Sequence, residues 1–119
     1  MAFEDEITKA IGAHGVWKMR LRTAIESGKA DANASDVAKD NVCTFGQWLY
    51  GSVPPAARAS ADYASVRKLH ADFHQCAAKV IECVGHGDKA KADAVMAGDY
   101  AKVSGDLTVA MMKWKAASH

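Results

Sequence analysis

Proline is scarce in this sequence, 2 among 119 residues, and leucine and isoleucine number only 4 each. So few prolines leave long stretches free to run as helix. So few large aliphatic side chains predict a thin core. No run approaches the roughly eighteen apolar residues of a membrane span. No basic block or stripe is present, and 15 basic against 14 acidic residues give a net charge of +1, which argues against nucleic acid as a partner. The first residues, Met1 to Ile11, mix acids with apolar side chains and lack the basic start and cleavage site of a signal peptide. Cysteines number 3, an odd count that argues against a disulfide-stapled secreted domain and for a reducing cytoplasm. No Gly-rich phosphate loop, Ser-His-Asp set or paired-acid site supports an enzyme.

Alanine is abundant, 24 of the 119 residues. It has the highest helix propensity and lets helices approach closely, so an all-α fold is expected. The length fits one domain spanning residues 1–119. A thin core of this kind gains from a cross-link such as a metal.

Four helical segments follow from the periodicity. About Phe3 to Ser27, the residues Ile7, Ile11, His14, Leu21 and Ile25 recur at helical spacing, and Ser27-Gly28 ends the pattern. A second helix is predicted from near Ser35 or Asp36 to Tyr50-Gly51, closed by Pro54-Pro55. A third, about Arg58 to Val84, carries Val66, Leu69, His70, Phe73, His74, Ala77, Val80, Ile81 and Val84 on one broad face. Gly85-His86-Gly87 ends it, and Asp88 caps a fourth running to about Ala117, with Gly98 and Gly105 as the positions of a break or bend. Joined by short loops, these four predict an antiparallel up-and-down four-helix bundle.

Polar residues on the apolar stripes point to the chemistry. His14 alone reads more often as a hydrogen-bonded core histidine than as a ligand. His70 and His74 stand four apart, which puts both imidazoles on one helix face about 5–6 Å apart at Cβ, within reach of one metal. Ala71 follows His70, so the general base of the metalloprotease motif is missing. The second helix offers Cys43 as a soft ligand, with Gly46 one turn on where a neighbour needs room. A lone cysteine is also a common buried hydrophobe. Together, three imidazoles and one thiolate suit a closed tetrahedral zinc site with no place for a catalytic water. The thiolate argues against magnesium and calcium, and the lack of further carboxylates against di-iron. Trp17 and Trp48 are candidates to wall the site from water, or ordinary core. Asp72 or Asp40 is a candidate acceptor for a ligand imidazole. Cys76 and Cys83 both read as core or surface thiols and not as ligands, His86 sits in a Gly-flanked turn and His119 is the terminal residue.

The three pieces His14-Gly15-Val16-Trp17, Cys43-Thr44-Phe45-Gly46-Gln47-Trp48 and His70-Ala71-Asp72-Phe73-His74, with gaps of 25 and 21 residues, resemble the chemoreceptor zinc-binding (CZB) domain family of bacterial regulatory proteins. The resemblance implies a four-helix bundle holding zinc through His14, Cys43, His70 and His74. It also implies a cytoplasmic, often homodimeric domain fused to chemoreceptor signalling regions or diguanylate cyclase domains, without a membrane or nucleic-acid partner of its own. There such a domain reports zinc or, through the zinc-bound cysteine, oxidants such as hypochlorous acid. Thr44 and Gln47 stand where many relatives have basic residues. No output domain is present, so the expectation is a free-standing member or a fragment. The rival reading is a purely structural zinc module for dimerisation or partner binding. Zinc buffering needs a more exposed site. A hemerythrin-like oxygen carrier needs a His-x-x-x-Glu pair, and Lys18 stands four after His14.

Overall fold

The computed structural model describes residues 2–29, 33–39, 44–51 and 53–117, and among these every regular element is helical. In chain order they are α1 (Ala2–Ser27), α2 (Ala34–Val37), α3 (Thr44–Gly51), α4 (Pro55–Arg58), α5 (Ala61–Gly85), α6 (Lys89–Val95), a π-turn (Met96–Tyr100) and α7 (Ala101–Ala117). No helix among the described residues is long and apolar enough to cross a membrane.

Helix α1 forms because Ile7, Ala10, His14, Leu21, Ala24 and Ile25 fall on one helical face and are all buried. It stops at Gly28, whose positive φ of 73° lets its N–H return to the Ala24 carbonyl at 2.9 Å. Helix α5 starts on Ser60, whose hydroxyl accepts the Tyr63 N–H at 3.1 Å. Its end is a Schellman turn. Gly87 takes φ 71°, its N–H bonds the Val84 carbonyl, and the Asp88 N–H reaches the Cys83 carbonyl at 2.9 Å. Asp88 then caps α6 by accepting the Lys91 N–H at 3.1 Å.

The chain runs up, down, up and down. The start of α1 meets the end of α7 around Thr8, Ile11, Met112 and Ala116. Its end meets the start of α6 around Ile25, Lys89 and Asp93. Helices α1 and α5 therefore run together, with α6 and α7 against them. The second limb is broken. It passes α5 as Val37 beside His74 and then Leu49 beside Tyr63, so it descends as predicted, but in the two pieces α2 and α3. The predicted helix 35–51 ends at Val37, where the Val37 and Ala38 carbonyls turn to the His74 and Gln75 side chains.

The third predicted helix also starts later than the periodicity implied. Pro55–Arg58 is a separate turn, and Arg58 reaches back to close α3. Its guanidinium donates to the Val53, Tyr50 and Gly51 carbonyls at 3.1, 3.3 and 2.9 Å. Of the two glycines expected to disturb the last helix, Gly98 lies in the π-turn and Gly105 sits inside regular α7.

Arg58→Ala removes three charge-assisted bonds to the carbonyls of Tyr50 and Gly51 at the end of α3 and of Val53 just beyond it. We expect a loss of about 1–2 kcal/mol, discounted for the solvent around the guanidinium. Urea denaturation of the two proteins checks this, and an unchanged midpoint would show that α3 is held by packing alone.

Candidate metal centre

Three of the four expected ligands come together. The imidazoles of His14, His70 and His74 are buried, and one ligand nitrogen from each lies within 4.8 Å of the others. Helix α1 delivers His14 from its inward stripe, and α5 delivers His70 and His74 from successive turns. The Nε2 atoms of His70 and His74 stand 3.1 Å apart. Cys43 lies outside the described residues, as do Asp40 and His119.

Backbone carbonyls fix which nitrogen faces the centre. His14 Nδ1 lies 2.7 Å from the Ala10 carbonyl one turn earlier, and His74 Nδ1 lies 2.9 Å from the Val37 carbonyl at the end of α2. A carbonyl can only accept, so each Nδ1 carries the proton and donates it. In a neutral ring the Nε2 lone pair is then bare, as a metal ligand requires. The acceptors are thus main-chain oxygens, and the expectation of an Asp72 carboxylate in this role is corrected. Asp72 faces outward and pairs with Lys68 at 2.9 Å. Nothing in a residue-type pattern marks a carbonyl as an acceptor.

Desolvation keeps the His14 and His70 rings neutral. Burial is the main cause that lowers the His14 pKa to about 4, with the Ala10 bond raising it and His74 lowering it. Burial, then the His74 and His14 charges, pushes His70 down to about 2. At neutral pH His14 and His70 thus offer uncharged nitrogen donors in a buried cluster. Two nitrogens bound tetrahedrally at zinc distances stand about 3.3 Å apart, close to the His70–His74 separation. The donor set is compatible with zinc. No carboxylate joins it among the described residues.

Aromatic edges close the pocket. Phe45 meets His70 and His14 edge-on at 5.2 and 5.8 Å, and Phe73 meets His14 at 4.9 Å. Trp48 stands one layer out, stacked on Phe45 at 5.7 Å. Trp17 is half-buried, with the Arg20 guanidinium 3.9 Å from its ring centre. The walls are therefore the two phenylalanines; the position of Phe45 two after Cys43 was the available signal. Cys83 is buried in the core and Cys76 is half-buried. Burial first, then Asp99 and Asp72, pushes the Cys76 thiol up, away from ligand character.

These shifts set a pH dependence for the metal-free protein. In the unfolded chain histidines protonate near pH 6.5, whereas folded His14 waits until about 4 and His70 until about 2. Below about pH 6.5 the unfolded state thus binds more protons, and stability falls as pH drops toward 4, by up to about 1.4 kcal/mol per unit for each group. Above 6.5 these two groups contribute no slope. Urea midpoints of chelator-treated protein between about pH 7 and pH 5 measure it, and a flat series would mean that the imidazoles are solvated.

Comparison with known proteins agrees with this geometry. The family model described as the chemoreceptor zinc-binding domain matches residues 14–81, from the first histidine of the cluster through both of the others. Searches of curated proteins and of solved structures find no match. The matched stretch exceeds half of the 119 residues and carries the whole histidine cluster, so the chain belongs to the chemoreceptor zinc-binding domain family.

Proposed function

We propose that this chain is a zinc-binding regulatory domain, residues 1–119 as one unit, whose metal is held by His14, Cys43, His70 and His74 and whose state reports zinc or an oxidant. The carrying observation is the convergence of three buried imidazole nitrogens, two of them oriented by backbone carbonyls. Support for Cys43 as the fourth ligand comes from the chain itself. It directly precedes α3, and Phe45, two residues on, rests against His14 and His70. Bound zinc would hold the Cys43 sulfur as thiolate.

A closed four-ligand site favours regulation over catalysis. Hypochlorous acid would react at the thiolate sulfur, forming the S–O bond of a sulfenic acid and releasing chloride. The sulfur then donates more weakly, and α3 is the element released. A zinc-bound thiolate of this kind suits the reducing cytoplasm. The output partner in this reading is a chemoreceptor or diguanylate cyclase signalling region, in cis or in trans, and a second copy of the chain. Exposed apolar side chains on α1 and α7, Val16, Met19, Val109 and Met112, support a homodimer.

The alternative, a structural zinc that staples the bundle for dimerisation or partner binding, draws support from the small side chains in the core, Ala10, Ala24, Ala77, Ala78 and Ala92. Native mass spectrometry separates the two. We expect one zinc per chain in the wild type and release of that zinc by stoichiometric hypochlorous acid. Cys43→Ser should hold zinc more weakly and lose the oxidant response, and His70→Ala should abolish binding. Zinc that survives the oxidant would favour the structural role. No zinc, or a different metal, would refute the assignment of the site.

A further inference from the structure

Helix α3 carries two aromatic residues with different neighbours. Phe45 touches the His14 and His70 rings, and Trp48, one turn on, stacks on Phe45 at 5.7 Å with only 24° between the planes. Trp48 in turn meets Trp114 of α7 at 5.7 Å. Trp114 is buried, meets Tyr63 edge-on at 5.8 Å, and stands three residues before the end of α7 at Ala117. The Tyr63 hydroxyl closes the circuit by donating to the Leu49 carbonyl at 2.7 Å, next to Trp48. An unbroken series of ring contacts thus leads from the histidines to the last turn of α7.

From this series we propose that Trp48 is a positioning residue that couples the metal centre to the C-terminal turn of α7 through Trp114. The inference rests on the reading of the histidine cluster as a zinc site. The rings are rigid, Phe45 and Trp48 stacked and Trp48 tilted 44° against Trp114, so a displacement of Phe45 is passed to Trp48 and not absorbed by side-chain rotation. Helix α3 has only 8 residues, too short to hold itself together without tertiary packing. Its position therefore follows whatever holds its two ends: the metal site at one, and Trp114 with Arg58 at the other. Coupling is reciprocal, so loosening Trp48 from Trp114 weakens zinc binding by the factor that zinc loses in ordering α7.

Hydrogen exchange with mass spectrometry, on the full chain with and without zinc, tests the coupling. In the wild type, zinc is expected to slow exchange roughly five- to tenfold both around His70–His74 and in the last turn of α7. Trp48→Leu keeps protection around His70–His74 and loses it at the end of α7, with weaker zinc binding by a similar factor. Trp48→Phe restores part of both. Wild-type protection confined to α5 overturns the coupling without any variant, as does undiminished α7 protection in Trp48→Leu. Native mass spectra showing no bound zinc overturn the metal reading and the coupling with it, an outcome distinct from zinc that binds but leaves α7 unchanged.

Discussion

Where α2 ends, the Val37 carbonyl accepts a hydrogen bond from His74 Nδ1–H at 2.9 Å, and the arrangement of the centre follows from that bond. It joins residues 37 positions apart, the second limb of the bundle to the third. It fixes the tautomer of His74, so that Nε2 faces His70. A helix end that would otherwise leave a carbonyl in search of a donor is satisfied by the residue that needs an acceptor. Within α1 the mid-helix Ala10 carbonyl likewise fixes the tautomer of His14, one turn below the ring. Main-chain oxygens are less mobile than carboxylates and carry no charge, so they orient the rings without raising the pKa as strongly as an anion would.

Neutrality and burial belong together here. Three imidazoles in one dry pocket cannot all be cations, because desolvation and mutual repulsion both oppose it. The same desolvation strips water from the nitrogen lone pairs, and a soft divalent cation is the partner that replaces it. The phenylalanine edges maintain this condition on two sides. The buried core mixes large side chains such as Leu21, Phe73, Tyr100 and Leu107 with the small Ala10, Ala24, Ala77, Ala78 and Ala92, which let the helices approach closely.

Much of this was legible in the residues. Helical spacing located the three long limbs, and Ser27-Gly28 and Gly85-His86-Gly87 located the ends of two of them through the left-handed backbone of Gly28 and Gly87. His14, His70 and His74 stood out because imidazoles on apolar stripes must find partners. The break between α2 and α3 was hidden, since it depends on carbonyls turning to side chains 37 residues away. Arg58 looked like the first residue of a helix; its bonds to Tyr50, Gly51 and Val53 make it the clasp of the preceding one. Trp17 and Trp48 were the expected walls or ordinary core, but the smaller Phe45 and Phe73 fit against the imidazoles. Size alone does not say which ring lies nearest.

The π-turn at Met96–Tyr100 has a consequence for phase. In α6 the buried positions are Ala92 and Val95; from the last residue of the turn onward they are Tyr100, Leu107, Met111 and Trp114. At about 100° per residue, the second set stands roughly one residue out of step with the first on an uninterrupted α-helix. The wider turn absorbs that step, and both stripes face the same neighbours, with Tyr100 set inward 5.3 Å from Phe73. The last limb is thus two helices in different angular settings, joined at a point that holds one surplus residue. A chain lacking that residue would present the same inward stripe from a straight rod. With it, α7 has an orientation about its own axis that α6 does not dictate.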